Sequence, residues 1–131
     1  MLDIGWTFRH KWRNFITGIK NLWKWRRAIY WDRDWDHWYI YEILKTKLKF
    51  QAEYMQKHGM TEKSGEVAKQ LFECVDMIDK IQNEFYIDEA IEGLGEKQWS
   101  DEMWDEGIKK HEDLKTKLYK TIQDSIETWW D

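Results

Sequence analysis

The sequence predicts an all-α protein, built as an antiparallel bundle of three to four helices. The 131 residues include no proline, the residue that interrupts helices by removing a backbone donor and clashing with the preceding turn. Apolar residues recur at steps of three and four, the period of an amphipathic helix. Short loops between such helices favour antiparallel neighbours. The length suits one domain, residues 1–131, with its own core.

The first predicted helix runs from about residue 7 to 26 and is aromatic and basic. Gly18 weakens its interior by roughly 1 kcal/mol relative to alanine, which favours a bend or break there. Its apolar stripe is an unusually large patch for a monomer to expose. We therefore expect this helix to pack on the bundle or to be exchanged between subunits. The stripe contains Phe8, Trp12, Phe15, Ile16, Ile19, Leu22 and Trp23.

A turn at residues 31–36 precedes the second helix. Either Asp34 or Asp36 is suited to accept the free amide protons at the start of that helix, which runs to about Lys57. His58 and Gly59 form its C-terminal stop, because glycine tolerates a left-handed cap. The predicted buried face comprises Ile40, Tyr41, Leu44, Leu48, Ala52 and Met55.

Two further helices follow. The third carries an alternating three–four stripe of Val67, Leu71, Cys74, Ile78, Ile81 and Phe85. Residues 88–99 are predicted to be a connection, because Gly93 and Gly95 break the periodicity. Ser100 is the expected N-cap of the fourth helix, with Asp101 and Glu102 in its first turn. The stripe of that helix contains Trp104, Ile108, His111, Leu114, Leu118, Ile122, Ile126 and Trp129.

Charge and tryptophan are distributed unevenly. Residues 1–38 hold seven of the eleven tryptophans. Seven basic residues against Asp3 alone give residues 1–31 a formal charge of +6, and since the chain totals −4, residues 32–131 carry −10. A basic, Trp-rich N-terminal helix (1–31) thus precedes an acidic helical body (32–131). This asymmetry indicates an anionic partner or a self-complementary assembly, and we expect a homo-oligomer.

Several classes of location and partner are disfavoured. No stretch approaches the roughly 18 apolar residues of a membrane span, and the N-terminus lacks the pattern of a signal peptide. The single cysteine, Cys74, allows no internal disulfide, so we expect a cytoplasmic protein. Duplex nucleic acid calls for a basic domain overall. A basic amphipathic helix also suits a membrane surface, but the acidic body disfavours anionic lipid, so no membrane partner is expected.

The basic aromatic segment is the predicted binding site. Arg26, Arg27 and Arg33 are suited to hold phosphate oxygens. Trp25, Trp31 and Trp35 can stack on a nucleobase or serve as anchors of a protein interface. A third interpretation is that the tryptophans belong to the core and the arginines pair with Asp32, Asp34 and Asp36. The predicted ligand-binding residues are Lys24, Trp25, Arg26, Arg27, Trp31, Arg33, Trp35 and Trp38.

An enzymatic alternative rests on Glu73, Asp76 and Asp79, which lie along one side of the third helix. The Glu-x-x-Asp step is similar to that of all-α nucleotide pyrophosphohydrolases, which bind magnesium through carboxylates on facing helices. The matching Glu-Glu-x-x-Glu of a preceding helix is missing, since Glu42 and Glu53 stand far apart. A solvated acidic face is the favoured interpretation, so no catalytic residue, metal ligand or cofactor is predicted.

Residues 18–49 resemble a group of small proteins encoded by tailed bacteriophages. The shared features are a basic aromatic segment, the Asp-Arg-Asp-Trp-Asp turn at residues 32–36, and an aromatic-rich helix ending in Leu48-Lys49. The resemblance spans roughly residues 10–90 and implies expression in an infected bacterial cytoplasm, with a host-takeover or anti-defence role. The predicted function is a non-enzymatic binding protein that sequesters a nucleotide-type anionic ligand or inhibits a host protein. The alternatives are a structural protein–protein interaction module and a magnesium-dependent pyrophosphohydrolase-like enzyme.

Overall fold

The computed structural model describes residues 4–94 and 101–130, and every regular element in these ranges is helical. This confirms the all-α class. The α-helices are α1 (Ile4–Tyr30), α2 (His37–His58), α3 (Ser64–Gln82), α4 (Phe85–Leu94) and α5 (Asp101–Ser125), followed by a 3-10 turn at Ile126–Thr128. The chain divides into two compact units, Met1–Tyr39 and Ile40–Asp131. That the two units belong to one domain, residues 1–131, stays a prediction.

The first unit contains α1, which is longer than the predicted 7–26 and continues through Gly18. Of the predicted bend or break at this glycine, the break was wrong. One unfavourable residue costs only about 1 kcal/mol in a helix interior, whereas ending the helix there would expose further backbone groups on both sides.

The first unit ends in the turn and the first residues of α2. Asp36 caps this helix by accepting a hydrogen bond from the Trp38 backbone N–H at 2.9 Å, as predicted for Asp34 or Asp36.

The second unit has its core between α2, α3 and α5. Leu71, Cys74 and Ile78 of α3 and Leu118 of α5 are fully buried. The buried face of α2 is confirmed by Leu48, Ala52 and Met55 and by the partly buried Tyr41 and Leu44. Ile40 was placed on this face wrongly, since it is exposed. Ile40 lies at the edge of the buried stripe of α2. A side chain at that edge faces solvent when the neighbouring helices cover only the centre of the stripe.

Polar contacts join the same helices at the edge of the core. Gln82 on α3 donates to the Glu42 carboxylate on α2 at 3.0 Å, and Lys45 on α2 lies 3.1 Å from Glu42 and 3.5 Å from Asp79. The hydroxyls of Tyr41 on α2 and Tyr119 on α5 are 2.6 Å apart. α2 ends at His58–Gly59 as predicted, but Gly59 does not adopt the left-handed conformation expected of it. A Cβ at this position would instead clash with the Ser64 Cβ. The α2–α3 connection is therefore packed closely enough to require glycine.

The segment after α3 differs from the prediction. α3 ends at Gln82 rather than continuing to Phe85, because Glu84 adopts a left-handed backbone with φ 51°. The Ile87 and Asp88 amides donate back to the Glu84 carbonyl at 3.0 and 2.9 Å, and this starts α4. The prediction that residues 88–99 form a connection was thus wrong for residues 88–94, which belong to α4. Gly93 falls in the last turn of this helix, where glycine is tolerated. The remainder, with the Ser100 cap, lies outside the described residues.

The last helix is shorter than predicted. Asp101 and Glu102 occupy its first turn as expected, but the α-helix ends at Ser125 and the chain tightens into a 3-10 turn. Trp129 therefore reaches the core from an irregular segment rather than from a continued helix. Its indole N–H donates to the Gln70 side-chain oxygen at 2.7 Å, and its carbonyl accepts a hydrogen bond from Gln51. The predicted burial of Trp129 is confirmed, with 5% of the residue exposed.

No helix among the described residues is both long and apolar enough to cross a membrane.

Candidate interaction site in residues 24–38

The predicted site lies entirely within the first unit, at the end of α1, in the turn and at the start of α2. We call residues 24–38 the Trp-rich segment. Lys24, Arg26 and Arg27 are exposed, while Trp25 and Trp38 are half-buried. The turn is closed by backbone hydrogen bonds from the Trp31 amide to the Arg27 carbonyl (3.2 Å) and from the Asp32 amide to the Ile29 carbonyl (3.2 Å). Regular hydrogen bonding thus continues from α1 into the turn.

The turn presents two tryptophans to solvent. Trp35 is 83% exposed and Trp31 is 59% exposed, so the core-packing interpretation does not account for either of them. Tyr30 was not among the predicted site residues, and its ring lies edge-on to the Trp31 ring with centroids 5.0 Å apart. A signal for Tyr30 was available, since it lies next to Trp31 in the sequence and is also aromatic. Tyr30 and Trp31 thus form an exposed edge-to-face aromatic pair at the end of α1.

The arginines are held by local contacts. Arg26 donates from Nη1 to the Trp23 carbonyl at 2.7 Å, and its guanidinium carbon lies 3.9 Å from the centroid of the Trp23 ring. This geometry combines a hydrogen bond with a cation–π contact. Arg33 donates from Nη1 to the backbone carbonyl of Asp32 at 2.8 Å. A guanidinium has five N–H donors, so both side chains keep donors for a partner.

Helix geometry separates the residues at the end of α1. Lys24, Trp25, Arg26 and Arg27 are consecutive in a regular helix, and successive side chains are about 100° apart at 3.6 residues per turn. Trp25 and Arg27 therefore point in nearly opposite directions. The structure brings Trp31 to Tyr30, and Arg26 to Trp23, but the four residues 24–27 do not converge on a single small ligand.

The second unit contains an open groove of about 990 Å³ whose lining includes parts of α3 and α5. Phe72, Met77 and Leu114 provide apolar walls, and charges of both signs surround them. Glu73 and Asp76 of the enzymatic alternative lie here, with Asp76 3.3 Å from Lys80. Within the described part of the chain, no group of three or more His, Cys, Asp or Glu side chains is arranged to hold a metal ion.

Two titratable groups of this unit are perturbed by their surroundings. Burial, aided by the Glu73 charge, raises the pKa of the Cys74 thiol to about 11. Burial, together with the hydrogen bond to Tyr119, raises the pKa of the Tyr41 hydroxyl to about 12. Both shifts favour the neutral form, which suits packing and hydrogen bonding better than nucleophilic or acid–base chemistry.

Comparisons with protein-family models, with curated proteins and with solved structures find no significant match for this chain.

Proposed function

We propose that this chain is a non-enzymatic binding protein, encoded by a tailed bacteriophage, that inhibits a host protein through the Trp-rich segment. The phage origin and cytoplasmic setting rest on the resemblance of residues 18–49. The observation that carries the binding role is the exposure of Trp31 and Trp35 on a turn closed by hydrogen bonds. Tryptophan and arginine are the residues most enriched among the energetic anchors of protein interfaces.

The shape of the segment favours a protein partner over a nucleotide. Small-molecule sites are concave and bury most of their ligand, whereas Trp31 and Trp35 project from a turn and are largely exposed. Residues 24–27 diverge around α1, so they are better suited to contact several points of an extended surface than one phosphate group. Exposed tryptophans on either side of Arg33 in the sequence are typical of the residues that anchor protein interfaces.

The proposal includes an assembly. We propose that the second unit is an antiparallel bundle and that α1 makes its apolar contacts with another subunit. The Trp-rich segment, at the end of α1, then remains available to the host protein.

The test is affinity purification from a susceptible bacterial lysate, followed by calorimetry with the purified partner. The double variant Trp31→Ala, Trp35→Ala should weaken binding by at least tenfold, because losing one anchor residue typically costs 2 kcal/mol or more. Trp130→Ala is the matched control, since Trp130 is also exposed (70%) but lies in the second unit. It should bind like the wild type.

Two outcomes would contradict the proposal. One is that every captured protein binds the double variant as well as the wild type. The other is native mass spectrometry showing nucleotide-sized extra mass that is lost in Arg26→Ala, Arg27→Ala. Such a result, with a ligand-dependent rise in melting temperature, would favour sequestration of a nucleotide instead.

A further inference from the structure

The apolar face of α1 is exposed along most of its length. Phe8 is 69% exposed and Leu22 is 63% exposed, and the residues between them on this face are also solvent-accessible. Monomeric soluble proteins rarely leave so large an apolar patch open. The exposed face comprises Phe8, Trp12, Phe15, Ile16, Ile19, Leu22, Trp23 and Ile29.

The charge of α1 has a single sign. Ile4–Tyr30 contains seven basic residues and no acidic residue, and all seven are exposed. Arg9, Arg13, Lys20 and Arg27 follow one another at steps of four, seven and seven, so they line one flank of the apolar face. Any surface that covers this face meets a row of positive charge. Two copies of α1 placed flank to flank would repel each other.

A complementary surface exists in the second unit. Among the α4 residues whose burial is assigned, the exposed side chains are the apolar Phe85 and Ile91 and the acidic Asp88, Glu89 and Glu92. The beginning of α5, which packs against α4, continues this charge. Residues 85–94 and 101–106 together contain seven acidic residues and no basic residue. Two neighbouring lysines reduce this charge in part, since Lys110 lies 3.4 Å from Glu106 and Lys80 lies 5.4 Å from the Phe85 ring centroid. The acidic residues of the α5 part are Asp101, Glu102, Asp105 and Glu106.

We propose that the apolar and basic face of α1 docks on the acidic surface formed by α4 and the start of α5 in a second copy of this chain. Phe85 and Ile91 contact the aromatic stripe, and Asp88, Glu89 and Glu92, which lie around Phe85 on the same side of α4, pair with the basic flank. The ten residues of α4 span about 15 Å and residues 8–20 of α1 about 20 Å at 1.5 Å per residue, so α4 and the start of α5 cover the N-terminal part of the α1 face. The Trp-rich segment lies beyond this contact.

The contact joins two different surfaces, so a reciprocal exchange of α1 closes it as a two-fold dimer, and a head-to-tail arrangement generates a closed ring or an extending chain. Its opposite charges accelerate association and set the register. Anionic lipid is the competing occupant of a basic amphipathic face. The chain as a whole is acidic at −4, which opposes approach to anionic lipid and favours the acidic surface of another copy.

A charge-swap experiment tests the pairing. The α1 variant is Arg9→Glu, Arg13→Glu, Lys20→Glu, and the α4 variant is Asp88→Lys, Glu89→Lys, Glu92→Lys. The control reverses three exposed lysines of α2, through Lys47→Glu, Lys49→Glu and Lys57→Glu. Mass is measured by light scattering after size-exclusion chromatography, and circular dichroism verifies that each variant is helical.

We expect a wild-type mass that is a multiple of 16.3 kDa and retention of that mass in the control. Each three-residue reversal should raise the subunit dissociation constant by about tenfold or more, because like charges then oppose each other. The six-residue combination should return it to within about threefold of the wild type. Dissociation should increase between about 0.15 M and about 1 M salt, where the Debye length falls from about 8 Å to about 3 Å.

A monomeric wild type overturns the proposal, as does an oligomer that is unaffected by both reversals or not restored by their combination. Sedimentation with phosphatidylglycerol vesicles supplies a further check. If the wild type is monomeric and its vesicle binding is lost in the α1 variant, a membrane surface replaces the second copy as the occupant.

Discussion

Trp129 provides a quantitative test of how the second unit is held together. Its indole is buried and donates to Gln70 at 2.7 Å. Trp129→Phe removes this hydrogen bond, worth about 0.5–1.5 kcal/mol, together with part of the ring volume. We therefore expect a loss of about 2 kcal/mol in the free energy of unfolding. Trp129→Ala also leaves a cavity and should cost about 3–5 kcal/mol.

The assay is urea unfolding followed by far-UV circular dichroism, with Trp130→Ala as the control. Trp130 is exposed, so its loss should change stability by no more than about 0.5 kcal/mol. A double-mutant cycle between Trp129→Phe and Gln70→Leu should give a coupling energy of about 0.5–1.5 kcal/mol. A coupling energy near zero would show that the Trp129–Gln70 hydrogen bond does not stabilise the second unit. A cost of Trp129→Ala below about 1 kcal/mol would show that the Trp129 side chain does not contribute to its core.

Three further predictions concern single residues. Gly18→Ala should stabilise α1 by about 0.5–1 kcal/mol, measured as slower amide exchange, because nothing lies within 4 Å of the new Cβ. Cys74 should react with Ellman's reagent only upon unfolding. Because its pKa is raised to about 11, its contribution to stability is complete below the ordinary thiol pKa and is lost as the pH rises towards 11, which alkaline urea titrations can measure. Trp35→Ala should leave the melting temperature unchanged, since the side chain buries little surface.

Sequence periodicity predicted the core well because a buried face imposes a strict pattern. Leu71, Cys74 and Ile78 repeat at the three–four spacing that one side of a helix requires, and all three are fully buried. α4 was missed for a local reason. The left-handed Glu84 leaves no signature, since this backbone conformation is normally a role of glycine or asparagine. The sequence of α4 therefore resembles that of a loop, because its exposed residues are acidic and Gly93 and Gly95 lie close by.

The candidate site was predictable in composition but not in geometry. The clustering of arginine and tryptophan in residues 24–38 is visible in the sequence, and so is an aspartate cap before α2. Which tryptophans are exposed depends on the turn, and from composition alone Trp25 and Trp35 were equally good candidates for stacking residues. The structure separates them, since Trp25 is half-buried and Trp35 is exposed. Only the second is free to anchor a partner.

The proposed contact between copies also predicts how the stability of α1 depends on protein concentration. Among the described residues of α1 whose burial is assigned, Ala28 alone is buried, so within its own unit this helix gains little from packing, the term that stabilises most protein helices. Docking on a second copy stabilises α1 by mass action, whereas α3 has its core within its own unit. Hydrogen exchange should therefore slow in α1 as protein concentration rises and stay constant in α3. Equal behaviour of the two helices would contradict the contact, and the α1 charge-reversal variant should abolish the concentration dependence.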